Sequence, residues 1–418
     1  MTLAAGRVAT TVPLRRNRQF RLLWIGQALS DFGSSMTSLA VPLALLAAGY
    51  SPSAAGIIGT AMLIVGLAVR VPAGYLADRW DQRRLMLGCD LARLVAVAAV
   101  AFCVFVWGLP LLVALGLVVV SITAQEIFQP SQSKIVRRAV PGEQLGTAVS
   151  LNQARAYGAS IAAPAVAGPL MALWPWAPFT VDAFTFGVSA LCVAMLARNR
   201  LVARTAEVRR ERFLPQIAAG WRYLVKDRFL RWSSGYFALA NVIFSAFGYA
   251  LILGTARQAG GAAAAGVAVS FAGIAGLTGS LIAPYAKRRL PLSVVLAAGP
   301  TMSAVLLAIA WAGGGVIPFV AAFSALCLLT PVIGAVLATI MAKVVPEDIY
   351  GRVTASSSFL AQILQPCGPL AAGILLSQLS FGTTAGLFAL AQGALAVLAF
   401  TIPTPAEPIG TSSGEGLG

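Results

Sequence analysis

Apolar stretches of about twenty residues recur along this whole chain, each long enough to cross roughly 30 Å of hydrocarbon. Lipid offers the backbone no hydrogen-bond partner, so stretches of this kind fold as helices that satisfy their own amides. The alternating pattern of a membrane barrel is absent. Only 11% of the 418 residues are charged and 58% are hydrophobic, against about 25% charged in a soluble domain. Too few charges remain to coat a water-facing surface. The chain reads as an all-α, multi-pass membrane protein.

Hydropathy places twelve spans. Six lie in the first half: Phe20–Leu46, Ser53–Leu76, Leu85–Val106, Leu109–Phe128, Thr147–Leu173 and Trp176–Leu196. Six follow: Phe229–Leu253, Ala263–Tyr285, Pro291–Trp311, Ile317–Val344, Val353–Leu379 and Thr383–Ile402. The expected organisation is a leading segment 1–19, a six-helix half 20–197, a linker 198–228, a second half 229–402 and a tail 403–418. In the linker, Ile217, Trp221, Leu224, Val225 and Arg228 follow helical spacing, as in a short interfacial helix. The tail has the composition of a disordered segment.

The net charge of +16 invites a nucleic-acid reading, but its placement argues for topology. In a twelve-span arrangement, twenty-six Lys and Arg fall at one face of the membrane. Arg257 alone falls at the other. That asymmetry predicts that both termini lie in the cytoplasm. The Arg-rich start runs into an apolar stretch too long for a signal peptide, so span 1 reads as a retained anchor. Cys89, Cys103, Cys192, Cys327 and Cys367 lie in or beside spans without metal-ligand spacing, as small core residues do.

Two segments 205 residues apart share a pattern: Gly74–Arg84 (GYLADRWDQRR) and Gly279–Arg289 (GSLIAPYAKRR). The same offset carries Pro141 onto Pro346, Gly146 onto Gly351, Pro164 onto Pro369 and Gly168 onto Gly373. A register held without a gap over about a hundred residues predicts a duplicated half in parallel orientation. Parallel repeats in an apolar chain suit a carrier that rocks one half against the other around a central site.

Gly74, Leu76, Asp78, Arg79 and Arg83 match the loop pattern G-x-L-x-D-R-x-G-R-R/K, with Asp81 in place of its Gly and Gln82 in place of its Arg. On this loop the chain resembles the major facilitator superfamily. The runs Phe20–Gln27 (FRLLWIGQ), Pro42-Leu43 and Arg83–Met86 resemble its bacterial drug- and siderophore-exporter branch. The resemblance covers all twelve spans. It implies two pseudo-symmetric six-helix halves and proton-coupled efflux of a lipophilic or amphipathic small molecule: a drug, an antibiotic or a siderophore. It also implies a latch in which Gly74 lets two helices approach closely. There Asp78 would sit at a helix N-terminus of the other half, and Arg79 and Arg83 would pair with acids such as Glu126. The second copy has Ala283 at the aspartate position, so the latch would be one-sided. Ala163–Gly168 (APAVAG) resembles the exchange-exporter motif G-P-x-x-G-G of span 5, with Pro164 and Gly168 retained.

Charges at membrane depth are costly and mark coupling sites. Asp31 is the leading candidate proton carrier and Glu126 the second, with Arg155 the counter-charge of either. A permanent Asp–Arg pair that only fixes packing is the competing reading. Gln27, Ser34 and Ser38 share a face of span 1 with Asp31, and Asn152 lies near Arg155. Asn241, Ser245 and Tyr249 share a face of span 7, and Gln362 and Gln365 a face of span 11. These residues are expected to line a largely apolar cavity, with Tyr157, Phe237 and Phe244 adding stacking surface. Asp182 reads as favouring a helix N-terminus, and Asp90 with Arg93 as a local pair.

There is no phosphate-binding G-x-x-x-x-G-K-[ST] loop, no metal-ligand cluster and no nucleophile–histidine pair, since the chain has no histidine. No cofactor, no metal and no enzymatic activity are expected. The expected partners are the solute, protons and lipid, with the chain acting as a monomer. An importer of a small solute, or a non-transporting receptor or scaffold, stays open as the alternative.

Overall fold

A computed structural model describes residues 14–196, 221–286, 291–346 and 349–403. The basic runs at 198–212 and 287–289, Ile217 of the expected linker helix and the tail beyond 403 lie outside the described residues. Residues 221–226 are helical, with Leu224 buried.

The first half contains α1 (Arg18–Ala47), α2 (Pro52–Arg79), α3 (Gln82–Val106), α4 (Leu111–Ala139), α5 (Gly142–Leu173) and α6 (Ala177–Ala194). The second contains α7 (Arg228–Gln258), α8 (Ala262–Ala286), α9 (Leu292–Ile309), α10 (Val316–Val344), α11 (Tyr350–Gln362), α12 (Cys367–Gln378) and α13 (Phe381–Ala399). Among the described residues twelve spans are long and apolar enough to cross a membrane, α11 and α12 forming one of them. Local chemistry fixes the ends. Asn17, Ser51, Asp81, Asp227 and Ser380 each accept a backbone N–H of the first turn they precede. Helix α4 runs past the expected Phe128 to Ala139, because Gln, Lys and Arg sustain a helix after the apolar run has ended.

Span 11 is broken where a continuous helix was expected. Pro366 has no N–H to give, and residues 362–368 close with tighter bonds, Gln365 N to Gln362 O and Cys367 N to Leu364 O, both 3.0 Å. The Pro366 carbonyl left over accepts the Thr60 hydroxyl of α2 at 2.7 Å.

The duplication is real in the helices, but its register is not uniform. The N-caps of α1 and α7, Asn17 and Asp227, are 210 residues apart, as are those of α3 and α9, Asp81 and Pro291. The C-caps of α4 and α10, Val140 and Val345, are 205 apart, as are Trp174 and Leu379 after spans 5 and 11. The five-residue slip falls between α9 and α10, where a wide turn of helix, Ala310–Gly314, and two positive-φ glycines shorten the connection. Gly279 is therefore not the counterpart of Gly74. Gly279 lies against the Leu328 backbone of α10, whereas a Cβ on Gly74 would meet nothing within 4 Å. Ala283 is likewise a buried residue, packed with Val295, Val332 and Val336, and not a lost aspartate.

The halves meet through α5 on α8 and α12 on α2. Glycines make both contacts close. Gly168 faces the Ala262 carbonyl and Gly266, and in the mirrored contact Gly373 faces the Pro52 carbonyl and Ser53. These contacts cluster at the end opposite the basic loops. There Ser53 N donates to Ser377 Oγ at 3.1 Å and Ser270 Oγ to the Ile161 carbonyl at 2.9 Å. Towards the basic end, α11 packs on α7 rather than α2, and Gly74, Gly146 and Gly351 face open space. The molecule is closed at the end carrying Arg257 and open at the basic end.

Candidate functional site

Five charges converge inside the first half. Arg155 Nε of α5 lies 3.1 Å from Asp31 Oδ2 of α1, an ion pair whose alignment is not that of a hydrogen bond. Arg93 of α3 is buried, donates to Ser34 Oγ at 3.0 Å and lies over the Phe186 ring at 4.1 Å. Asp182 of α6 is buried and accepts the Thr37 hydroxyl at 2.6 Å. Asp90 of α3 accepts Ser189 Oγ at 2.7 Å, and that oxygen accepts Gln27 Nε2 at 3.2 Å. Arg93 lies in the electrostatic field of Asp182, Asp90 and Asp31 together. Three carboxyls thus face two guanidiniums. The group carries one negative charge when fully ionised and is neutral when it holds one proton.

This arrangement departs from the sequence reading at several points. Asp182 is the sixth residue of α6 rather than an N-terminal cap, and its partners come from α1 and its own helix. Asp90 and Arg93 join a larger cluster. Gln27 is buried in the α1–α6 contact and does not face a cavity. A signal was present, since the four acids Asp31, Asp90, Glu126 and Asp182 within the spans outnumber Arg70, Arg93 and Arg155 by one. What sequence cannot show is that α1, α3, α5 and α6 bring them together.

Glu126 stands apart from Asp31. It pairs with Arg70 of α2 at 3.3 Å, not with Arg155, Arg79 or Arg83. Arg79 lies over its own helix's Tyr75 ring at 4.3 Å, and Arg83 donates to the Val193 and Ala194 carbonyls that end α6. Asp78 pairs with Lys134 of α4, within its own half. Among the described residues, no hydrogen bond or ion pair of the loop reaches the other half in this conformation. Pro164 and Gly168 lie at the α5–α8 contact, where the Pro164 carbonyl faces Gly266.

Cavities of different character lie on either side of the interface. The first half holds one of about 310 Å³, lined by Asp31, Ser34, Ser38, Arg93, Gln125 and Asp182. The second half holds one of about 480 Å³, lined by Phe237, Asn241, Phe244, Gln362, Gln365 and Gln392 with surrounding aliphatics. Between them, Ser38, Gly59, Ser245, Tyr249 and Gln365 line a third of about 380 Å³. Arg70 and Glu126 line a fourth of about 200 Å³, also with Gln365. Gln365, at the break of span 11, therefore borders three of the four. Asn152 is half-buried one turn before Arg155, and Tyr157 is exposed. A groove of about 710 Å³ between α3 and α4, bordered by Trp80, Arg84 and Val119, is away from the interface and from this chemistry. Among the cavity residues the sequence reading missed is Gln392. Its only signal was an amide in a span otherwise without a strongly polar group.

Among the described residues no cluster of His, Cys, Asp or Glu could hold a metal ion. A family model described as Major Facilitator Superfamily matches residues 23–341. Macrolide efflux protein A of Streptococcus pyogenes is 26% identical over 228 residues, 54% of either chain. The uncharacterized MFS-type transporter YfiS of Bacillus subtilis is 24% identical over 195 residues, 46% of either chain. The chain thus spans about half the length of the curated relatives it matches. Among solved structures, the nucleoside transporter NupG superposes with a TM-score of 0.70 at 12% identity, covering 92% of this chain and 98% of that one. A bacterial homologue of the iron transporter ferroportin, in an inward-facing state, gives 0.70 at 16% identity over 92% and 98%. A D-xylose–proton symporter gives 0.63 at 12% over 93% and 97%. At these identities the structures speak to fold alone. With the family match running through both halves of a twelve-span duplicated helical fold, this chain belongs to the major facilitator superfamily.

Proposed function

We propose that this transporter exports a lipophilic or amphipathic small molecule in exchange for protons, by alternating access. The observation that carries the reading is the charge cluster of the first half. It has one more carboxyl than guanidinium and opens through Asp31 onto a cavity. A group at membrane depth that is neutral only with one proton bound has a reason to take up and release that proton as its access changes. Asp31 is the carrier in this reading and Arg155 its partner between protonations. Glu126, already neutralised by Arg70, is the second candidate.

With the basic end assigned to the cytoplasm by the positive-inside rule, the conformation described reads as open inward. The solute would enter between α2 and α11 and between α5 and α8, and would leave when the glycine-lined contacts at the far end part. The lining is mostly apolar with a few neutral hydrogen-bonding groups, which suits a drug-like solute better than a sugar. The relationship to a macrolide efflux protein supports export. Import is the second reading, since the same fold is found in a D-xylose–proton symporter.

The test is uptake of radiolabelled uncharged antibiotics, a macrolide first, into inside-out vesicles. Accumulation that appears on energisation and collapses with a protonophore supports export. Accumulation only in right-side-out vesicles would favour import, and flux in neither would favour a receptor or scaffold.

A further inference from the structure

We infer that the cavity of the second half is the solute's seat, and that Gln392 is the residue selecting what sits there: an uncharged, largely apolar molecule offering a hydrogen-bond donor. The inference rests on the carrier reading above and adds the site and the chemistry of its ligand.

Gln392 lies on α13 and is 1% exposed, yet it borders the cavity of about 480 Å³. Its Oε1 has no hydrogen-bond partner. Ser303, buried on the α9 helix against which α13 packs, is also unpartnered, so it does not take this oxygen. Leaving a buried amide carbonyl unsatisfied costs about 1–3 kcal/mol. A leucine or methionine in this apolar span would avoid that cost. The amide makes sense if something that enters the cavity completes it.

The other polar groups of the wall point the same way. Asn241 uses its NH₂ on the Ala361 carbonyl at 3.1 Å, and Gln362 uses its own on the Ser358 carbonyl at 3.2 Å. Each bond uses one of the amide's two N–H groups and none of its oxygen's acceptor capacity. Ser357 is bonded to Ser234 at 3.1 Å. Asn241 and Gln362 therefore keep their full acceptor capacity and only one of two amide donors each. It has no charged side chain, so an ion entering it would lose hydration without a counter-charge. Phe237, Phe244, Leu326 and Leu395 supply the apolar remainder. The two halves thus divide the work, with protons handled by the charged half and the solute by the neutral one.

The probe is tritiated N-phenyl-1-naphthylamine, an uncharged diarylamine with a single N–H, compared with its N-methyl derivative, which lacks the donor. Binding to purified protein is read by scintillation proximity, without transport. The unaltered chain should bind the N–H compound about fivefold more tightly than the methylated one, the worth of one net hydrogen bond. Gln392→Met should abolish that preference while leaving affinity for the methylated compound unchanged. Gln362→Met, at a half-buried position, makes the same comparison if Gln392→Met does not purify as a monodisperse species. Asp31→Asn should leave the preference intact. Equal affinity of the unaltered chain for both compounds, or a preference that survives Gln392→Met (or Gln362→Met where that variant stands in for it), would overturn the inference. Donor-dependent binding without vesicle flux would sink the transport reading alone, and flux with donor-blind binding this inference alone.

Discussion

The Tyr249 hydroxyl of α7 donates to the Ala55 carbonyl of α2 at 2.6 Å, joining the two halves at the closed end. Its ring packs where Gly59 leaves no room for a Cβ, so bond and contact depend on the same small residue. A hydrogen bond made in one conformation only biases the equilibrium between conformations by its net worth, about 1 kcal/mol. Tyr249→Phe should therefore shift the balance toward opening at this end by roughly fivefold. A Ser53→Cys and Ser377→Cys pair, in a chain with its native cysteines replaced by alanine, reads this as slower disulfide formation. An unchanged rate would show that the bond does not hold the closed end.

Gly33 and Gly74 should respond oppositely to the same substitution. A Cβ at Gly33 would lie 2.8 Å from the Asp182 Cα and 2.5 Å from its Oδ1, so α1 and α6 would have to separate. Gly33→Ala should cost about 1–3 kcal/mol of stability, the usual penalty of overpacking. Gly74→Ala should leave thermal stability unchanged, because nothing stands within 4 Å. If Gly74 is needed for close approach in the other conformation, its alanine variant will lose transport rate while keeping its melting temperature. Thermal unfolding in detergent beside a flux assay separates the two.

How far the sequence speaks is clear from these residues. Span positions were legible because lipid leaves the backbone one solution, and apolar length sets where it applies. Helix α4 overran its expected end because hydropathy registers burial in lipid and not helix propensity. The duplication was visible at Pro164 and Pro369, whose register is 205, yet the loop around Gly74 matched Gly279 only by resemblance of letters. Caps at Asp81 and Pro291 give 210 there. The Asp31–Arg155 pair was legible as two opposite charges at membrane depth. The parts played by Arg93, Asp182 and Gln392 were not, since each depends on which side of a helix meets which neighbour. Pro366 carried a readable signal for the break, but Pro164 within an unbroken α5 shows that proline alone does not decide it.

Asp78 and Lys134 form an exposed pair in the open conformation, the kind that contributes at most about 1 kcal/mol. Asp78→Asn should leave stability and solute binding nearly unchanged. If the carboxylate moves to a partner in the other half when the basic end closes, the same variant should slow transport strongly. Lys134→Met should slow it far less. Loss of binding with an unaltered balance of conformations would count against a latch at Asp78.

Placement of the basic end in the cytoplasm has a direct check. Reporter fusions after Gly49 and after Leu379 should read outside, and fusions after Arg138 and Thr404 inside. The opposite pattern would turn the open end outward and reverse the direction assigned to every step.

Asp31→Asn tests the charge balance itself. With the amide in place, Asp90 and Asp182 remain against Arg93 and Arg155, and the cluster is neutral without any proton. Nothing then favours uptake or release as access alternates, so proton-driven uphill efflux should be lost. The cavity and the interface are untouched, so downhill exchange of solute across the membrane should continue. Arg155→Gln leaves the carboxyl without its 3.1 Å partner and three carboxyls against Arg93 alone, and adding Asp31→Asn returns the cluster to the single negative charge it carries in the unaltered chain. The double variant should therefore be more stable than the sum of the single losses predicts, by about 1–2 kcal/mol in a double-mutant cycle. Full proton-driven efflux by Asp31→Asn would remove it as the carrier and move the assignment to Glu126.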